Sequence, residues 1–515
     1  VQEAQDRQRE HVVLRCVWPR QPIAFRGTSK RGTANRGKHM THRRPLLRLA
    51  APNYVALLSG VITGMIDVAW VGRLGPGPVA AVAVATSVEN ALLGVALLVN
   101  GGVTVVLSGH VGAGDTAAAR ATVRAGWWIY AGLTPVVVLA GWALRHPLAA
   151  AFLGDAEAAE QAAAYFTVLF PAVAIFYAQQ VVDATFAGHG DTRTPMRLAL
   201  LANGLLLVLD PVLIYGVGPV PAFGVAGAAA ATTLGRAAAL VTGLILVRRR
   251  HPARGAAAPL RPALRAVTVA GAPIAGDFLV RMVGALITIG VVSRSGVAAV
   301  AAYGIGMKLL YFATMGFYAL RNAATIHTPR TISALEPDSR TPQRRAIGRQ
   351  VLGLALTAAA LAAVFLAAAA PMLMRLFSAD PQVITAGVIF LRCVGGYLIP
   401  IAGVVALGGL LVGSGSGPRL FAVTVAGMLT QSGLAWGFAG VLGLAGVWLA
   451  MAVSALLQLT LVLRAAKLRA PTADEPIAPL APSIRAERRT LPSTTLDRSP
   501  TAATVPRPDT APGRR

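Results

Sequence analysis

The sequence predicts an all-α integral membrane protein, with twelve transmembrane helices arranged as two parallel-repeat six-helix bundles. Three observations predict it: a composition too apolar for a soluble domain, twelve apolar runs long enough to cross a bilayer, and four short motifs that recur at nearly one offset. Of the 515 residues, 55% are hydrophobic and 13% charged, and the mean hydropathy is +0.61; soluble chains carry about 25% charged residues. A spanning helix needs about 20 consecutive apolar residues. Lipid offers backbone groups no hydrogen-bond partner, so runs of this length must satisfy their own as helices.

In chain order the runs fall at 46–72, 79–108, 121–144, 158–187, 198–217, 222–247, 266–293, 297–327, 350–374, 382–412, 420–442 and 444–463. Residues 1–44, ahead of them, are polar and basic and lack the short apolar core and cleavage site of a secretory signal. They are expected to be a disordered segment, and Met40 marks an alternative translation start. Spans one to six form an N-lobe over 45–247. Residues 248–265, with Pro252, Pro259 and Pro262, read as a cytoplasmic linker to a C-lobe over 266–466. The tail 467–515 is rich in Pro, Arg, Ser and Thr and cannot bury enough apolar surface to offset the entropy of ordering.

The two halves share short motifs. Val79-Ala80-Ala81-Val82-Ala83 returns as Val297-Ala298-Ala299-Val300-Ala301, and Ala151-Phe152-Leu153-Gly154-Asp155 as Leu376-Phe377-Ser378-Ala379-Asp380. Gly188-His189-Gly190 returns as Gly413-Ser414-Gly415, and Phe223-Gly224-Val225-Ala226-Gly227 as Leu442-Gly443-Leu444-Ala445-Gly446. The offset runs from 218 (Val79 to Val297) to 225 (Gly188 to Gly413). Six spans per unit is an even number, so both copies lie the same way up, related by an axis along the membrane normal. Two such bundles leave a cleft between them. Rocking one against the other exposes it alternately to either face, which is the geometry of secondary transporters.

The net charge of +26 does not signify nucleic-acid binding, because the cations gather in the tails and in alternate loops as the positive-inside rule requires. One set of loops holds Arg120, Arg124, Arg193, Arg197, six arginines from Arg248 to Arg265, Arg330, Arg340, Arg344, Arg345, Arg349 and Arg419; the other holds Arg73, Arg145, Arg294 and Arg375. Both termini are therefore expected in the cytoplasm, at the plasma (inner) membrane. Cys16 and Cys393 suggest neither a disulfide framework nor a metal site, and the histidines form no HExxH pattern. No metal is expected, and no cofactor other than a coupling ion, a proton or Na⁺.

Charges inside spans are costly, on the order of 2.5 to 3.5 kcal/mol at a helix centre on insertion scales, so their default reading is functional. Asp67 is the lone charge between Leu49 and Val71, and Asp210 between Leu198 and Leu234. Asp67 lies seven residues before Leu74 and Asp210 six before Gly216, which puts both about 10 Å below the same end of their spans. Burial and a second nearby acid both disfavour a charged carboxylate, so the pair reads as a proton-exchanging site. Asn203, seven residues before Asp210, shares its helix face, and Thr232 falls at a similar depth. Asp277 and Arg281, spaced i,i+4 on span seven, are expected to neutralise each other. Glu89 on span two and Lys308 on span eight sit at nearly equivalent repeat positions and suggest a gate pair across the cleft. Arg321 has no evident partner. Gly188 to Pro195 reads as a tight cytoplasmic turn leading into span five.

At Gly188-His189-Gly190-Asp191-Thr192-Arg193-Thr194-Pro195, Leu209-Asp210-Pro211, the Gly224 to Thr233 stretch and Asp67-Val68-Ala69-Trp70-Val71-Gly72, the chain resembles the multidrug and toxic compound extrusion (MATE) family, and most of all its DinF-type branch. The resemblance covers roughly residues 45 to 466. It implies a twelve-helix antiporter, not an enzyme, expelling bulky, often cationic compounds in exchange for protons or sodium, with Asp67 and Asp210 as the coupling acids and Thr232 lining the same cavity. Leu206 stands where such members often carry Asn, and Gln179 replaces an Asn expected late in span four; both departures favour protons over sodium. The expected partners are small organic molecules and membrane lipids, with no nucleic acid, and the expected state is a monomer. Two other readings stay open at this point: a lipid-linked precursor flippase of the same superfamily, and a membrane-embedded enzyme using paired aspartates.

Overall fold

The computed structural model describes residues 42–219, 221–251 and 255–467. The expectations for the N-terminal segment up to residue 41, and for the tail from 468, lie outside them. Within the described residues the chain is helical and holds twelve helices long and apolar enough to cross a membrane. The first six spans are α1 (Arg43–Val71), α2 (Pro76–Ala113), α3 (Thr116–Ala143), α5 (Ala156–Gly188), α6 (Arg193–Tyr215) and α7 (Gly224–Arg250), with a short α4 (Arg145–Phe152) between the third and fourth. The second six are α8 (Leu260–Val292), α9 (Val297–Ser333), α10 (Pro337–Phe377), α11 with α12 (Pro381–Cys393 and Gly395–Gly413), α13 (Gly417–Leu442) and α14 (Leu444–Lys467).

Local chemistry sets the ends. Asp115, Asp155 and Asp380 each accept a hydrogen bond from a first-turn backbone N–H, filling donors that no carbonyl can reach. Pro76, Pro337 and Pro381 open their helices, where a missing N–H costs nothing. The duplication is visible in the backbone itself. A single 3₁₀ turn ends α1 at Gly72–Leu74 and another ends α8 at Ser293–Ser295. Each is followed by a glycine at positive φ, Gly75 at 118° and Gly296 at 95°, a conformation that L side chains resist.

The helices differ from the sequence expectation in places with physical causes. The tenth span is two helices, broken at Val394 before Gly395-Gly396, a glycine pair that tolerates interruption of the ladder. Helix α10 begins at Pro337 rather than near 350, because its first turns are polar and carried no hydropathy signal. The segment drawn as a linker is partly helical: α7 runs to Arg250 and α8 starts at Leu260.

The second bundle packs around α12, where Leu398 and the whole run from Pro400 to Gly413 are buried. The two bundles meet through α2, which lies along α8 and α9, and α1, which lies along α9. Small residues allow the approach. A Cβ on Gly271 would fall 1.9 Å from the Leu98 carbonyl oxygen, and one on Gly102 would fall 2.3 Å from that of Val267. Near the end where α1 begins, Arg330 of α9 donates to the His189 carbonyl at 3.0 Å. There, too, His42 bridges His327 at 3.1 Å and Gln343 at 2.8 Å.

Candidate cation-coupling site

The acids predicted from the sequence come together. Asp210 of α6 is completely buried, and neither of its carboxylate oxygens finds a hydrogen-bond partner among the described residues. Pro211 beside it has no N–H to give the Leu207 carbonyl, which leaves a backbone acceptor next to the acid. Asp67 of α1 is half-buried, with one oxygen also unpartnered. The two acids lie within electrostatic reach of each other, and Asp67 of Glu89. Tyr165 of α5, 4% exposed, sits amid Glu89, Asp67, Asp210 and Arg236. The helices bearing the acids are pinned near one end, where the Tyr215 hydroxyl donates to the Trp70 carbonyl.

Glu89 has a partner other than the one expected. Arg236 of α7 makes an ion pair with it at 2.7 Å, and the guanidinium stacks over Phe176, 4.6 Å from the ring centroid. Lys308 is exposed and pairs with nothing among the described residues, so the pair across the cleft is not formed in this structure. An arginine one turn beyond Thr232 simply reaches Glu89 within its own bundle. Both groups line a cavity of about 20 Å³ with Tyr165, Thr232, Thr233 and Phe176, room for a water molecule and little more.

Thr232 lines this cavity with Glu89 and Arg236, whereas Asp67 and Asp210 are not among its lining residues. Asn203 and Gln179 do not line this cavity: Asn203 donates to the Ser59 hydroxyl at 2.9 Å, tying α6 to α1, and Gln179 donates to Asp183 at 2.9 Å within α5. Sequence reasoning passed over Asp183, Arg236 and Tyr165. A search of the spans for every charge, not only for isolated acids, finds the first two; nothing in the sequence marks Tyr165.

In the second bundle Asp277 does bind Arg281, at 3.2 Å. Arg321, read as partnerless, is bound more closely: its guanidinium donates to the other Asp277 oxygen at 2.7 Å. The sequence could not bring α8 and α9 together at that depth. Thr424 of α13 completes the cluster with a 2.5 Å bond to Asp277.

The Gly188 to Pro195 motif is a turn, as expected. Asp191 accepts from the backbone N–H groups of Arg193 and Thr194, and Arg250 reaches it at 3.2 Å. His189 stacks on His251 with centroids 3.9 Å apart. Burial first, then the His189 and Arg250 charges, hold the His251 imidazole down at about 4, against an opposing pull from Asp191.

A family model described as MatE matches residues 52–212 and 273–437, well over half of the chain. The chain belongs to the MATE family. Among its relatives is the "Probable multidrug resistance protein NorM" of Thermotoga maritima, 26% identical over 82% of this chain and 91% of that protein. Another is an FAD transporter of Shewanella oneidensis, 24% identical over 66% and 75%. The fold also matches a solved MATE structure in complex with MaL6, with a TM-score of 0.77, 21% identity, and coverage of 84% of this chain and 97% of that one. This MATE protein is thus a multi-pass membrane transporter rather than an enzyme.

Proposed function

We propose that the chain is a secondary active efflux transporter that expels bulky organic or cationic compounds by alternating access, in antiport with protons. The observation that carries this reading is the pair of acids with unpartnered oxygens, Asp67 and Asp210, on adjoining helices and within electrostatic reach of each other and of Tyr165. Deprotonated, they attract a cation from the cleft; protonated, they lose that attraction and let α1 and α6 repack, which expels it. Leu206 offers no oxygen where sodium would need one, and Gln179 is bound to Asp183, so protons fit better than Na⁺.

The arginine distribution supports cytoplasmic termini at the plasma membrane. The inter-bundle contacts of His42, His189 and Arg330 then close the cytoplasmic end. The lobes are drawn at 45–247 and 266–466, joined by 248–265. An acid on span one and another on span five favour the DinF-type branch, and the name of the Thermotoga relative supports a drug-like cargo. No cofactor beyond the coupling ion is needed.

The test is uptake of a fluorescent organic cation into proteoliposomes of the full chain, with proton and sodium gradients imposed separately. Flux should follow the proton gradient and be indifferent to sodium. Flux driven by sodium alone would overturn the choice of ion, and flux driven by neither would overturn antiport.

A further inference from the structure

The two bundles carry opposite charge inside the membrane. Between Leu260 and Lys467 the acids are Asp277, Glu336, Asp338 and Asp380, and the last three lie at helix ends. The interior of the second bundle therefore sets one carboxylate, Asp277, against two guanidiniums, Arg281 and Arg321. In the first bundle Asp67, Glu89, Asp183 and Asp210 lie within spans where Arg236 is the matching cation. An uncompensated charge held in a membrane interior is costly and marks a site rather than a strut.

The surplus cation is available. Asp277 is 1% exposed and saturated: one oxygen takes Arg281 Nε and the Thr424 hydroxyl, the other takes Arg321. Arg281 gives Nε to Asp277 and one terminal nitrogen to Thr424 at 3.2 Å. Its other terminal nitrogen makes no hydrogen bond among the described residues, and its side chain keeps 14% exposure. Around it stand phenols from two further helices, Tyr318 of α9 and Tyr397 of α12, within its electrostatic reach. Tyr311 lies within electrostatic reach of both tyrosines. Phenol hydroxyls donate to carboxylates, and their rings stack on planar solutes.

Resting on the transporter reading above, we propose that the interior of the second bundle is a binding site for the anionic group of an amphoteric aromatic solute. A carboxylate seats on Arg281 beside Tyr318 and Tyr397. By the offset of 221 that relates the two 3₁₀ turns and their glycines, Gly75 and Gly296, Asp277 corresponds to Ala56, eleven residues from Asp67, so the anion site lies about 16 Å deeper than the acids. The specificity consequence is that this transporter accepts zwitterions that a purely acidic cleft would repel.

Rhodamine 110 carries a free carboxylate and rhodamine 123 is its methyl ester, so the pair isolates that group. Binding of each to the purified full chain is measured by fluorescence polarisation, and transport of each in proteoliposomes. Arg281→Gln should weaken rhodamine 110 binding by about tenfold, the size of one lost charge-assisted hydrogen bond, and leave rhodamine 123 unchanged. Arg281→Lys should restore much of the loss, and unaltered rhodamine 123 binding certifies that the variants fold. Equal weakening of both dyes, no weakening of either, or failure of the wild-type chain to bind rhodamine 110 overturns the site. Selective binding with no gradient-driven flux of either dye leaves the site standing and overturns the transport reading instead.

Discussion

A carboxylate inside a membrane is defined by what answers its charge, and the chain gives its acids three different answers. Asp277 is answered in full by Arg281, Arg321 and Thr424, Glu89 by Arg236, and Asp210 by no partner among the described residues. Full pairing fixes structure, whereas an unanswered acid is free to gain and lose a proton. Arg236→Gln leaves Glu89 alone and should destabilise the protein by about 1 kcal/mol, modest because the pair is partly exposed. Adding Glu89→Gln should recover most of the loss, as read from thermal midpoints of the two variants; a double variant no more stable than the single one contradicts the pairing. Asp67 and Asp210 were legible in the sequence because each is the lone charge in a long apolar run. Arg236 was equally visible, but its partner was not, since choosing between Lys308 and Arg236 for Glu89 requires knowing which helix stands opposite.

Helices were legible where hydropathy alone defines them and less so where another force sets the boundary. The apolar runs mark where eleven of the spans cross; they miss the break of α11 from α12, which rests on Val394 and two glycines, and the polar start of α10 at Pro337. The Gly188 to Pro195 turn was readable from its own residues, but its contact with the end of α7 was not. That contact has a pH dependence. The His251 side chain, held at about 4 against an unfolded value near 6.5, binds fewer protons folded than unfolded between those values. Its contribution is complete above about 6.5 and is lost as the pH falls towards 4. The thermal midpoint should therefore drop over that window, and His251→Phe, which keeps a ring against His189, should flatten the drop. Identical pH profiles for wild type and variant would remove the stacked pair from the account.

Across the whole molecule, duplication was the most informative signal in the sequence, because motifs at nearly one offset, with six spans per copy, fix the relative orientation of the copies before any contact is known. The copies differ in charge: Thr288 stands opposite Asp67 at the 221-residue offset of the two 3₁₀ turns, Ala435 stands opposite Asp210 at the 225-residue offset of Gly188 and Gly413, and the second bundle holds arginines instead. On the proposed mechanism one bundle keeps the proton site while the other lacks it, and coupling is carried by the packing of α1 and α2 against α8 and α9. The central claim is that Asp67 and Asp210 trade protons for cargo. Substrate-evoked proton release tests it most directly, by adding a saturating organic cation to purified protein in weak buffer with a pH-indicating dye. The wild-type chain should release protons on binding, and the Asp67→Asn/Asp210→Asn variant should release none. Undiminished release from that variant would contradict the account.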